Sequence, residues 1–134
     1  MNKYIVFFLI LLIVTAAGFG IHTLLLSAFD QEHWWIGSGY SLIGFYAFNS
    51  IGSLVMLFAL AGAIFSLPKQ FGFVFLGGIL LKMVASYIYL QHGLGLLENN
   101  FIELNFLLVF FLFLFYDIYV AFRLINQELY PDVK

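Results

Sequence analysis

Four apolar runs, at residues 4–27, 40–67, 71–90 and 101–124, take up most of this chain. An α-helix rises about 1.5 Å per residue, so roughly 20 apolar residues cross the ~30 Å hydrocarbon layer of a bilayer. No water reaches that layer to satisfy backbone N–H and C=O groups, and a helix satisfies them within its own segment. The expected fold is therefore all-α. It is a polytopic membrane protein with a single integral domain over 1–134, built as an antiparallel four-helix transmembrane bundle. Composition agrees: 64% of residues are hydrophobic and 9% charged, against about 45–50% and about 25% in soluble domains. The first run could be mistaken for a secretion signal, but a cleavable apolar region is only about 7–15 residues long. Residues 4–27 read as a retained helix.

Basic residues set the expected orientation. Lys3, Lys69, Arg123 and Lys134 fall at the amino terminus, the second link and the carboxyl tail, and the other two links contain neither Lys nor Arg. Cytoplasmic loops carry the excess of such residues, which predicts both termini inside. The acids Asp30, Glu32 and Glu98 then lie outside, and Trp34-Trp35 suits the interfacial aromatic belt. The lipid bilayer is the first partner implied. With a formal net charge of −2 and no basic patch, nucleic acid is not one. The chain has no cysteine, which removes disulfides, thiolate metal sites and cysteine nucleophiles.

Charge inside the spans is the chemically pointed feature. Lys82 is the only charged residue between Phe71 and Leu90, and a lysine at that depth costs about 2.5–3.5 kcal/mol on insertion scales. From the cytoplasmic end Lys82 lies about 20 Å up the third helix and Asp117 about 9 Å up the fourth. Side chains lean toward the amino terminus of their helix, so these two lean toward each other. A Lys82–Asp117 intramembrane charged pair is expected; the alternative is that Lys82 snorkels to an interface. Gly77 and Gly78 lie one turn below Lys82, and Gly52 and Ser53 share a face of the second helix. Small residues of this kind let helix backbones approach closely.

A second polar layer is expected from His22, Asn49 and Asn105, all about 27–28 Å from the cytoplasmic side. Such groups hydrogen-bond across helices; the sharper alternative is a proton or cation path through His22, Lys82 and Glu103. Glu103 shares a helix face with Asp117. Sequence signatures of metalloproteases, serine hydrolases and phosphate loops are absent. His33 and His92 stand alone in links, so no metal site and no cofactor is expected. The chain reads as a non-enzyme.

In layout the chain resembles the ATP synthase subunit I group, above all the small four-span proteins of bacterial (Bacteroidetes-type) ATP synthase operons. The residues that carry the resemblance are Gly39-Tyr40-Ser41-Leu42-Ile43-Gly44 through Asn49, and Phe75-Leu76-Gly77-Gly78-Ile79-Leu80-Leu81-Lys82. The resemblance implies a non-enzymatic accessory protein of the bacterial inner membrane that assists assembly of the ATP synthase rotor ring. It implies ATP synthase membrane subunits as partners. The other expectation is a small ion or solute transporter or channel subunit using Lys82 and Asp117, which would need a homo-oligomer to leave room for a path.

Overall fold

The computed structural model describes residues 3–92 and 100–129. Four long helices account for most of them: α1 (Lys3–Ala28), α2 (Leu42–Ser66), α3 (Phe71–Leu90) and α4 (Phe101–Leu124). A π-helical turn, Ile125–Leu129, continues α4. There is no strand among the described residues. All four helices are long and apolar enough to cross a membrane. Glu98, Lys134 and most of the third link lie outside the described residues.

Local chemistry sets the helix ends. The second apolar run begins at Tyr40, yet α2 begins at Leu42, because Ser41 adopts an extended backbone and its hydroxyl accepts the Gly44 N–H. That is an N-cap, which satisfies one of the orphan donors at a helix start. Gly39 enters this cap at φ +81°, a conformation that costs other residues a steric penalty. At the far end, Leu67 leaves the helical region just before Pro68, whose ring disfavours a helical residue in front of it. Pro68–Gln70 then forms a single 3₁₀ turn into α3.

The core centres on α2 and α4. Half of the α4 span and 39% of the α2 span are buried, against 11% each for α1 and α3, which marks α2 and α4 as central and α1 and α3 as flanking helices. The most enclosed side chains include Phe45, Leu60, Ile102, Phe106, Val109 and Phe113. Edge-to-face rings fix their packing: Phe45 meets Phe106 at 5.2 Å and Tyr46 meets Phe113 at 5.9 Å, geometries that the ring quadrupoles favour. Trp35 closes one end of the bundle, with its ring centroid 5.3 Å from Phe45 and 4.8 Å from Phe101. At the other end Tyr4 packs on Phe65 and Phe7 on Tyr119. The phenylalanines of the last run divide by face, with Phe106, Phe110 and Phe113 among those inward and Phe111, Phe115 and Phe122 exposed.

Chain order predicts α3 and α4 as close neighbours, and here the structure differs. α3 packs along α2. It reaches α4 mainly through long side chains, with Tyr89 stacked on Phe106 and Lys82 extended to Asp117. The reason is interlocking of α2 and α3 around Gly78. A Cβ there would fall 2.5 Å from the Met56 methyl, so the Met56 side chain fills the place a larger residue would take.

Candidate intramembrane polar site

Three helices contribute to one charged cluster. Lys82 projects from the inner side of α3, crosses α2 at Gly52 and Ser53, and ends at Asp117 on α4. The Lys82 Nζ donates to Asp117 Oδ2 and, at 3.2 Å, to Ser53 Oγ. It also lies 5.8 Å from the Phe110 ring centroid, within cation–π range. A methyl group at Gly52 would lie 3.5 Å from the Lys82 Cε, in ordinary van der Waals contact, so the lysine passes close over this position. A β-branched side chain at that position would obstruct the lysine.

Burial is nearly complete: Asp117 is 1% exposed and the Lys82 side chain 10%. A buried charge pair of this kind roughly breaks even against an apolar pair of equal volume, whereas removing one partner strands the other charge at about 3–5 kcal/mol. Asp117 Oδ1 is buried with no hydrogen-bond partner among the described residues. The cluster therefore makes a fixed, close contact between three helices at one depth.

A cleft of ≈ 320 Å³ runs between α2 and α3 and reaches this lysine. Phe48, Val55, Met56 and Ala59 line it from α2, and Leu81 and Ala85 from α3, with Lys82 and Asn49 as its polar members. Val55 and Leu81 at its rim are exposed, so it opens sideways from the bundle, where lipid would lie.

The second polar group is built from His22, Asn105 and Tyr46. His22 Nε2 lies 2.6 Å from Asn105 Oδ1, and His22 Nδ1 lies 3.2 Å from the Tyr46 hydroxyl. The Asn105 amide is oriented by its own Nδ2 donating to the Phe101 carbonyl at 2.8 Å. With Oδ1 so placed, the Nε2–H donates to Asn105, and Nδ1 pairs with the Tyr46 hydroxyl, so both ring nitrogens are engaged. Asn49 stands apart from this group. Its Nδ2 donates to Phe45 O within α2 at 2.9 Å, and its Oδ1 is buried with no partner among the described residues. The expected three-residue layer is therefore corrected: Tyr46 takes the place expected of Asn49. Glu103 occupies the first turn of α4.

Of the small residues singled out for helix packing, Gly52, Ser53 and Gly78 all work inside the bundle. Gly77 has no atom within 4 Å of where its Cβ would stand, and it faces outward. Sequence reasoning missed Tyr46, and also Tyr116, whose hydroxyl donates to Phe7 O at 2.8 Å and ties α4 to α1. The available signal was the residue type, since a tyrosine in mid-span needs a partner for its O–H.

These features define a class: a helical protein with four spans long and apolar enough for a membrane, carrying a charged pair among three of them. No family model, curated protein or solved structure matches the chain.

Proposed function

We propose that this chain is a non-enzymatic accessory protein of a bacterial inner (cytoplasmic) membrane, helping to assemble a larger membrane complex such as the ATP synthase rotor ring. In this reading it is an antiparallel four-helix transmembrane bundle with both termini in the cytoplasm. The packing of Tyr4 on Phe65 and of Phe7 on Tyr119 supports the orientation, because it gathers Lys3, Lys69 and Arg123 near one end, the end that basic residues mark as cytoplasmic.

The observation that carries the reading is the outward face of α3. Phe73, Leu80 and Val84 are all exposed there, and Gly77 makes a notch among them. In lipid, helices associate through close van der Waals packing, and a small residue between large ones lets a second backbone approach. Lys82 is engaged with Asp117 and Ser53, and His22 with Asn105 and Tyr46, as two separate groups, which favours a scaffold over a relay. The resemblance to the subunit I group, through Gly39–Gly44 and Phe75–Lys82, points to the rotor ring as the assembly served.

The test is cross-linking in native membranes, followed by mild-detergent recovery of tagged wild type and Gly77→Leu. Recovery of ATP synthase membrane subunits with wild type, reduced at least about threefold in the variant, is the expected result. A folded wild-type protein that recovers none of them overturns the reading.

A second reading, a small ion or solute transporter or channel subunit, is favoured by one observation: an open cleft reaches a buried ion pair. Flux in liposomes that is abolished by Lys82→Met/Asp117→Asn, with folding retained, would establish it.

A further inference from the structure

The Lys82 ammonium carries three N–H donors, and two are spoken for, by Asp117 Oδ2 and Ser53 Oγ. Lys82 also lines the α2–α3 cleft, and its side chain is only 10% exposed. A nine-tenths buried cation, with one donor not engaged by an oxygen and the Phe110 ring 5.8 Å away, thus borders an apolar cavity that opens sideways from the bundle. Leaving a buried donor without an acceptor is costly, and more so when the donor is charged. Small-molecule sites commonly take this form, with volumes of about 300–1,000 Å³, apolar walls and a few placed polar groups. The ≈ 320 Å³ cleft, with Phe48, Val55, Met56 and Leu81 as walls, falls in that range.

We propose that the α2–α3 cleft binds a membrane-soluble, uncharged ligand through a single carbonyl or hydroxyl oxygen, which accepts the remaining N–H of Lys82. The electrostatics select a neutral head. Asp117 already balances the Lys82 charge, so a carboxylate or phosphate would bring an uncompensated negative charge into mid-bilayer. A plain hydrocarbon chain would fill the walls and leave the donor unmet. The ligand enters sideways from lipid, past Val55 and Leu81, with its apolar body against the cleft walls. The site is independent of the outer α3 face on which the assembly reading rests.

The chain has no cysteine, so Val55→Cys at the rim accepts a single polarity-sensitive fluorophore, acrylodan. The labelled protein, held in mild detergent, is titrated with 2-undecanone and, separately, with undecane, which has the same chain without the oxygen. The expected result is a saturable emission shift with the ketone, at a midpoint about tenfold lower than with undecane, equivalent to ~1.4 kcal/mol. In Lys82→Met/Asp117→Asn the two midpoints should coincide. Ala85→Phe, which fills the cleft and keeps the ion pair, should abolish the shift. Equal midpoints for ketone and alkane in the otherwise unaltered protein overturn the proposal and leave the cleft as a crevice for acyl chains. A shift that never saturates, or that survives Ala85→Phe, also overturns it. The comparison of two probes on one protein and the Ala85→Phe control both hold even if the doubly neutralised variant fails to fold.

Discussion

Inside a bilayer a lone ammonium and a lone carboxylate are each expensive, and most of the cost disappears only when they meet. Lys82→Met is therefore expected to destabilise the protein by about 3–5 kcal/mol, because it strands Asp117 among apolar side chains. Lys82→Met/Asp117→Leu should recover most of that loss. Thermal unfolding in detergent, followed by helicity, checks both, and equal damage from the single and double variants would show that the charges do not act as a pair. At the other polar group, His22→Ala takes the partner from both Asn105 Oδ1 and the Tyr46 hydroxyl, with an expected cost of about 1–3 kcal/mol. His22→Gln, which keeps a donor and an acceptor, should cost less in the same melt. The meeting of Lys82 and Asp117 was legible in the sequence, from helix rise and the opposite lean of their side chains. The separation of Asn49 was not, because an asparagine can satisfy itself on its own helix at the Phe45 carbonyl, and depth alone does not reveal that choice.

At the scale of helices, the pairing of α3 with α2 turns on Gly78 and Met56. Gly78→Leu puts new side-chain atoms where the Met56 methyl now lies and should prise the two helices apart. Gly77→Leu, one residue away, adds its Cβ where no described side chain lies within 4 Å. The expected contrast is a loss of stability of about 1–3 kcal/mol for the first and less than about 0.5 kcal/mol for the second. Equal losses would mean that the two glycines serve the same surface. The spans themselves were plain from apolar run length, and α3 and α4 begin and end where those runs do. What run length could not supply was which helices touch. A short link makes adjacency of α3 and α4 the simplest expectation, yet packing follows side-chain fit, and the Met56–Gly78 fit holds α3 on α2.

For the molecule as a whole, the distribution of basic residues yields a direct expectation of topology. Single cysteines introduced as Ser38→Cys and Lys69→Cys should be labelled by a membrane-impermeant maleimide from opposite sides, Ser38→Cys in intact cells and Lys69→Cys only after the membrane is opened. Labelling of both from one side would refute the two-ended arrangement. The bundle also has an uneven build: α2 and α4 hold most of the buried core, while α3 rests on α2 and reaches α4 through Tyr89 and a charge contact.

That charge contact joins residues 35 positions apart in the chain, and synthesis runs in one direction at about 5–20 residues per second. Asp117 therefore leaves the ribosome roughly 2–7 seconds after Lys82. During that interval α3 cannot settle cheaply into hydrocarbon, and it would be retained at the insertion machinery, or hover at its water-filled edge, until the fourth helix arrives. In a membrane the ion pair would thus favour entry of the last two spans together.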